Sequence, residues 1–188
     1  MATRDEFVKY DFVFFKTFAK YLHFSKSELK ALERAVSMGL IQRDRLVELA
    51  ISAVSGVEMD SVDGQDHKDG TDTKTVVSSI KNNHKARGSW MHSFAVRKIA
   101  NKNGALRIVA YNKFINDFHY FFIPHAAYQH CGTTVEIVAE NFNGYYDRPN
   151  FTGEPKRHLK WWQYEVATFE EMCLTTPSQV RVRKNLSK

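Results

Sequence analysis

Residues 69–77 read Asp-Gly-Thr-Asp-Thr-Lys-Thr-Val-Val, and this stretch decides the expected fold. Asp-Gly is a turn signal of the kind found in hairpins, and the residues after it are mostly β-branched, which favours a strand. Successive side chains of a strand point to opposite faces, so Asp72 and Lys74 should project side by side from one face. The sequence therefore predicts a strand that begins with a paired carboxylate and ammonium group.

The chain before this strand has the pattern of three helices. In the first of them, apolar residues recur at steps of four and three, at Val8, Phe12, Phe15, Ala19 and Leu22. Ser25 and Glu28 form a capping-box pattern that opens the second helix, and Gly39 ends it. The third helix is expected from about Asp44 to Val54, with Glu48 off its main apolar stripe and a glycine as its stop.

The rest of the chain alternates turn signals with strand-like runs. Strands are expected at Ser93–Ile99, Leu106–Tyr111, Phe118–Ile123 and Thr133–Ala139. The second and third of these flank Asn116-Asp117, so they should form a hairpin. Residues 141–156 are rich in turn formers and are expected to be a loop, whereas residues 159–166 fit either a helix or a strand. A capping pattern at residue 168 predicts a short final helix.

These elements predict a single α/β (α+β) domain with a mixed central β-sheet flanked by helices and a helical N-terminal third. Residues 1–188 should divide into a helical part at 1–56, a catalytic sheet at 57–140, and a polar loop, short helix and basic tail at 141–188. A length of 188 residues fits one domain, and a content of 43% apolar residues is sufficient for a real core.

The composition also bears on where the protein works. No apolar run is long enough to cross a membrane, and the N-terminus lacks the layout of a secretion signal. The two cysteines, Cys131 and Cys173, have no metal-type spacing and are expected to be free thiols. We therefore expect a cytoplasmic protein with no membrane association.

Charge is distributed unevenly along the chain. The net charge is +6, yet six carboxylates and one cation lie in the segment from Glu58 to Asp72. The segment from 73 to 116 contains nine basic residues and no acidic residue. Carboxylates attract Mg²⁺, and a basic tract holds the phosphates of a polyanion. The pattern indicates a metal site beside a nucleic-acid-binding surface, and a solvated face with an acidic loop is the ordinary alternative.

The pair formed by Asp72 and Lys74 has a known chemical use in phosphodiester hydrolysis. A carboxylate holds Mg²⁺, which polarises the phosphate and lowers the pKa of a bound water, while an ammonium group orients that water or offsets developing charge. A second carboxylate is needed to fix the metal, and Asp63 can supply it across a hairpin. The sequence contains no calcium loop, phosphate-binding loop, dinucleotide fingerprint or serine-hydrolase elbow.

Asp63 together with Asp72-Thr73-Lys74 resembles the active-site motif of the PD-(D/E)XK nuclease superfamily, and within it the type II restriction endonucleases. The resemblance extends to residues 106–112 and 120–124, which are similar to the core strands that follow the active site in several such enzymes. The chain departs from the family motif at Val62, where the motif has a proline.

The resemblance implies a restriction-endonuclease-like fold and a Mg²⁺-dependent endonuclease of double-stranded DNA, with Mn²⁺ as a substitute ion. The implied catalytic residues are Asp63, Asp72, Lys74 and Glu48, the last being the helical glutamate that members often carry upstream of the first acid. The implied metal ligands are Asp63, Asp72 and Thr73. A small enzyme that cuts a palindrome usually acts as a homodimer, because protein and site share a twofold axis.

The identity of the first acid depends on the hairpin before Asp72. A two-residue turn at Asp69-Gly70 would put Asp63 on the face of Asp72 but roughly 13 Å further along the strand, and Asp66 would face away. A wider loop over 64–70 would bring Asp63 and Asp72 together, so we predict that loop and Asp63 as the first acid. The alternates for the first acid are Asp60, Asp66 and Asp69.

The candidate DNA contacts directly follow the predicted catalytic strand, at Asn82, Asn83, His84, Lys85 and Arg87. Amide and guanidinium groups read base edges, and lysines mostly hold phosphates. Three other functions remain open: a ββα-metal nuclease built on histidines, whose spacing singles out no pair; a phage, repair or homing nuclease of the same fold; and a basic, non-catalytic DNA-binding protein whose aspartates cap turns.

Overall fold

The structure is a computed structural model that describes the backbone at 4–60, 66–77, 79–80, 88–89, 91–95, 104–112, 116–128, 134–138, 150–152, 158–159, 164–176 and 179. Side chains are described at 12–60, 66–75, 104–111, 116–127, 164–176 and 179. Asp63, the candidate DNA contacts at 82–87 and most of the basic tail lie outside these residues.

Helices make up the N-terminal part, as the sequence predicts: α1 at Arg4–Ala19, α2 at Lys26–Ser37 and α3 at Arg43–Ser55. The capping box of α2 is confirmed, since the Glu28 N–H donates to the Ser25 hydroxyl and the Ser25 N–H donates to the Glu28 carboxylate. α3 ends at Gly56, whose φ of 73° lies in the left-handed region that glycine adopts without steric cost. None of the described helices is long and apolar enough to span a bilayer.

The strands and later helices follow in chain order: β1 Asp72–Val77, β2 Ser79–Ile80, β3 Gly88–Ser89, β4 Met91–Ala95, β5 Ala105–Asn112, β6 Asp117–Pro124, α4 His125–Tyr128, β7 Thr134–Val138, β8 Asn150–Thr152, β9 His158–Leu159, β10 Glu165–Val166 and α5 Phe169–Leu174. One sheet has the order β1-β5-β6-β10, with β1 and β5 parallel and the other pairs antiparallel. The predicted α+β class with a mixed sheet and helices is therefore confirmed.

The remaining strand predictions have mixed outcomes. The predicted hairpin of β5 and β6 is confirmed, and Asn116 in its turn has a φ of 54°. Strand β7 is also confirmed, and it lies in a second sheet of order β4-β7-β8-β9. The prediction that residues 141–156 form only a loop is wrong, because β8 lies inside that segment and pairs antiparallel with β7. Residues 158–159 and 165–166 are short strands, and α5 begins after the capping residue Thr168.

The hydrophobic core lies between the helices and one face of the β1-β5-β6-β10 sheet. Val109 and Tyr111 of β5 point into this core, where they join aromatic and aliphatic side chains of α1, α2, α3 and α5. Ile108 is also fully buried, but strand alternation places it on the opposite face. Its register partner Lys74 shares that face, and so does Asp72, two residues earlier. The sheet therefore presents the carboxylate–ammonium pair on the face away from the helical core.

Candidate functional site

Asp72 and Lys74 form an ion pair at the start of β1, as the alternation of the strand predicts. The Lys74 Nζ donates to the Asp72 carboxylate at 2.8 Å and to the main-chain oxygen of Thr73 at 3.2 Å. The Asp72 side chain is 6% exposed, and the Lys74 side chain is 22% exposed. The carboxylate is thus largely shielded from water, and the ammonium group is the more accessible member of the pair.

A second carboxylate, that of Asp66, lies against this pair. The Thr73 N–H donates to Asp66 Oδ2 at 2.6 Å. Because β1 is at the edge of the described sheet, main-chain groups on its outer side need partners from outside the sheet, and Asp66 supplies one. The Asp66 carboxylate also lies near enough to Asp72 to raise the pKa of Asp72. The structure therefore brings two carboxylates and one ammonium group together.

The environment of Asp72 favours its protonated form. Burial raises the pKa of Asp72 to about 7, the neighbouring Asp66 carboxylate adds to the rise, and the Lys74 charge opposes it. In the unfolded chain, where these neighbours are absent, the pKa returns to the usual 3.8 of an aspartate. The single charge of Lys74 thus offsets only part of the cost of burying Asp72 beside Asp66, and a bound proton or a further cation would offset the rest.

Asp72→Asn is expected to stabilise the chain at pH 8 in EDTA but not at pH 4. Between about pH 4 and pH 7 the folded protein retains a proton on Asp72 that the unfolded protein releases, so wild-type stability falls as pH rises through that window. Asparagine keeps the shape without the charge, so the variant lacks this loss, and its advantage at pH 8 should be on the order of 2 kcal/mol. Urea unfolding of both proteins at pH 4, 6 and 8 measures the difference, and parallel pH profiles would contradict it.

Glu48, the predicted helical acid, lies close to Asp66. Its side chain is mostly buried on α3 and accepts a hydrogen bond from Arg45 Nη1 at 2.9 Å. Burial raises the pKa of Glu48, the Arg45 guanidinium lowers it, and the negative charge of Asp66 raises it again. Although Glu48 lies off the apolar stripe, the segment before β1 covers this part of α3, as the 3.2 Å contact between His67 Nε2 and the Glu48 main-chain oxygen indicates.

The chain enters β1 through a tight turn at residues 67–70, so the predicted wide loop is wrong for the part of 64–70 that the structure describes. The Gly70 N–H donates to the His67 oxygen at 2.9 Å, and Gly70 has a φ of 82°. Asp69 Oδ1 accepts from the Thr71 N–H at 3.0 Å and also from the Thr71 hydroxyl. The Gly70 N–H and the Asp69 side chain thus close a turn of four residues, 67–70, by local hydrogen bonds.

At the base of this turn, Asp66 and His67 together lie opposite Thr71, and this β-bulge changes which aspartate reaches the site. The Thr71 main-chain oxygen accepts from two successive N–H groups, that of Asp66 at 2.9 Å and that of His67 at 3.2 Å. A bulge of this kind opposes two residues to one and so reverses the expected alternation of faces. Asp66, which a regular hairpin would turn away, is therefore directed towards Asp72.

The other candidate residues are placed elsewhere or are not described. Asp69 pairs with Arg107 at 3.0 Å and so is turned towards the helical core. Asp60 donates its N–H to the Asp66 main-chain oxygen at 2.8 Å. Asp63 lies outside the described residues, and so do all the candidate DNA contacts: Asn82, Asn83, His84, Lys85 and Arg87. Their predicted roles stay predictions.

Two buried polar residues beside the carboxylates were assigned no role in this site from the sequence. His67 is fully buried, and burial lowers its pKa. Arg107 is 2% exposed and bonds to the turn before β1. The sequence does contain a signal for Arg107, because it is the only charged residue in the otherwise apolar run 105–111. His67 has no comparable signal.

The donor set available for a metal consists of oxygens. Within the described part of the chain, no group of three His, Cys, Asp or Glu side chains is arranged to hold a metal ion. Asp66 and Asp72 offer two carboxylates, and the Thr73 main-chain oxygen lies 3.2 Å from the Lys74 Nζ that also bonds Asp72. The Thr73 hydroxyl is buried without a hydrogen-bond partner among the described atoms. Comparisons with protein-family models, curated proteins and solved structures found no match to this chain.

Proposed function

We propose that this chain is a Mg²⁺-dependent endonuclease of double-stranded DNA, specifically a type II restriction endonuclease with a restriction-endonuclease-like fold. The observation that carries the proposal is the buried Asp72 carboxylate, with Lys74 Nζ at 2.8 Å and a second carboxylate, Asp66, beside it. Asp72 is buried and Asp66 half-buried, and two neighbouring carboxylates repel each other more than one ammonium group offsets, which favours a further cation. An adjacent ammonium group suits a reaction whose transition state gains negative charge.

The chemistry of these residues fits a magnesium ion. Mg²⁺ takes oxygen ligands and is usually bound through one or two carboxylates together with the phosphates of a substrate. Asp66 and Asp72 would hold it, with the main-chain oxygen of Thr73 as a further ligand, and Mn²⁺ would use the same oxygens. When bound, the ion supplies positive charge to the phosphate and lowers the pKa of a bound water. Asp63, the first acid that the motif predicts, is the competing candidate for the place that Asp66 takes here.

Lys74 and Glu48 would have separate tasks in the reaction. Lys74 is anchored to Asp72 and remains partly exposed, so its ammonium group can orient the attacking water and offset the charge that develops on the phosphate. Glu48 is a carboxylate whose pKa is raised by burial, which brings it nearer to the pH at which a general base works best. It is therefore the candidate acceptor of the proton that the water loses.

The charge distribution supports DNA as the substrate. The chain has a net charge of +6, and the acid-free segment 73–116 follows the site directly. The predicted base and phosphate contacts lie in that segment: Asn82, Asn83, His84, Lys85 and Arg87. The enzyme would act in the cytoplasm as a homodimer. The twofold axis of the dimer would match that of a palindromic DNA site.

Incubation of plasmid DNA with the protein in Mg²⁺, and in parallel in EDTA, tests the proposal. Cleavage in Mg²⁺ alone is expected, and discrete bands would indicate a site-specific restriction enzyme. A smear would indicate a nuclease without site specificity. Binding without cleavage, at several Mg²⁺ and Mn²⁺ concentrations, would show instead a non-catalytic DNA-binding protein and would refute the proposed activity.

DNA affinity is expected to fall steeply with salt concentration. Each phosphate that a basic residue neutralises releases a condensed counterion, so contacts to about six phosphates would weaken binding about 10³-fold between 50 and 200 mM salt. Fluorescence anisotropy of a labelled duplex, titrated with protein in EDTA, gives this slope without interference from cleavage. A slope near zero would remove the argument from the basic segment.

A further inference from the structure

Arg107 is a charged residue buried where a charge is unfavourable. It lies on the face of β5 that packs against the helical core, between Ala105 and Val109, and is 2% exposed. Its guanidinium carbon is 5.7 Å from the centroid of the Phe122 ring. A buried guanidinium group is stabilised when its donors are used; both terminal nitrogens of Arg107 have acceptors, whereas its Nε is buried without a hydrogen-bond partner among the described atoms.

The donors of Arg107 join two parts of the chain that are distant in sequence. Nη1 donates to the Thr71 hydroxyl, and Nη2 donates to Asp69 Oδ2 at 3.0 Å and to the main-chain oxygen of Cys173 at 3.2 Å. Burial alone would raise the pKa of Asp69, but the Thr71 hydroxyl and the Arg107 charge hold it below its usual value. Arg107 therefore connects the end of α5 to the turn before β1.

The turn before β1 fixes the position of Asp66. The Thr71 main-chain oxygen accepts the Asp66 N–H at 2.9 Å, and the Asp66 side chain accepts the Thr73 N–H at 2.6 Å. The bulge opposite Thr71 thus depends on where Thr71 lies, and Arg107 holds Thr71 by its hydroxyl. Without this contact, the bulge that directs Asp66 towards Asp72 loses its buried support.

We propose that Arg107 is the positioning residue of the carboxylate pair: it fastens the turn to α5 and so keeps Asp66 against Asp72. The consequence for metal binding rests on the proposed function, because it takes Asp66 and Asp72 as the ligands. Residues that orient metal ligands through hydrogen bonds typically contribute 10–100-fold to metal affinity.

The direct readout is the exchange rate of the Thr73 amide proton, measured by NMR in metal-free protein. Arg107→Met should speed exchange of the Thr73 amide proton at least tenfold relative to the Val109 amide of β5. The reason is that the Asp66 carboxylate would no longer hold its hydrogen bond with the Thr73 N–H. Arg107→Lys should recover part of the protection. A lysine ammonium group can pair with Asp69, but it lacks the forked guanidinium that reaches Thr71, Asp69 and Cys173 together. Tyr111→Phe, which removes a buried hydroxyl donating to Asn116 at 3.1 Å, is the matched control.

Equal acceleration at Thr73 and Val109, or unchanged exchange at Thr73, would overturn the proposal. Should Arg107→Met not fold, Thr71→Val removes the hydroxyl that Arg107 binds and carries the same comparison. A calorimetric titration with Mn²⁺ should show an affinity for Mn²⁺ that is 10–100-fold weaker in Arg107→Met than in the Tyr111→Phe control. A wild-type protein that protects Thr73 yet neither binds Mn²⁺ nor cuts DNA would refute the proposed function alone, and the exchange comparison would still decide the role of Arg107.

Discussion

Replacing Lys74 with methionine is expected to lower the rate of DNA cleavage by about 10²–10³-fold, because one preorganised charge at the reacting centre contributes about that much. Methionine has a similar length and fills the same space without the ammonium group. The charge of Lys74 also lowers the pKa of Asp72, so the remaining activity should shift to higher pH. DNA affinity in EDTA should change little, because seven basic residues of segment 73–116 other than Lys74 and the buried Arg107 share the contacts with phosphate.

Lys68→Met is the matched control for this experiment. Lys68 lies in the turn before β1 and pairs with Glu58, and both side chains are mostly exposed. An exposed pair contributes little, so the control should cleave at the wild-type rate. Cleavage rates of both variants across pH 6–9, with anisotropy in EDTA beside them, separate loss of chemistry from loss of binding. If Lys74→Met cleaves as fast as Lys68→Met, the active site lies elsewhere.

The helices and the central hairpin could be predicted because their signals are local. Ser25 and Glu28 are three residues apart, and they close the capping box within one turn of α2. Gly56 ends α3 through its own backbone angle, and the turn at Asn116 joins two strands that are adjacent in the chain. By contrast, the parallel pairing of β1 with β5 joins segments about 30 residues apart, and no local pattern specifies it.

The candidate site was only partly predictable for the same physical reason. The Asp72–Lys74 pair follows from the period of a strand, which any regular strand obeys. The position of Asp66 does not, because the alternation rule assumes a regular hairpin and the bulge at Thr71 breaks it. Arg107 reaches the turn from β5, so its role depends on the long-range pairing.

Asp66→Asn is expected to abolish cleavage of DNA in Mg²⁺, and this result would separate the two candidates for the first acid. Asparagine can still accept the Thr73 N–H, so the fold should persist, but the site loses one of the two anionic ligands that Mg²⁺ prefers. Removal of the Asp66 charge should also lower the pKa of Asp72, because that charge raises it now. In EDTA the variant should bind DNA as tightly as the wild type or more tightly, because a negative charge near phosphate is unfavourable.

The comparison needs Asp63→Asn, Asp72→Asn and Glu58→Gln beside it, each assayed for cleavage and for gel shift in EDTA. Asp72→Asn should be as inactive as Asp66→Asn, and Glu58→Gln, which alters an exposed acid of the same segment, should be active. An inactive Asp63→Asn with an active Asp66→Asn would make Asp63 the first acid, as the motif predicts, and would leave Asp66 with only its hydrogen bond to Thr73. Activity in both would show that neither aspartate holds the metal. Inactivity in Asp66→Asn with activity in Asp63→Asn is the expected result, since the bulge at Thr71 turns Asp66 towards Asp72.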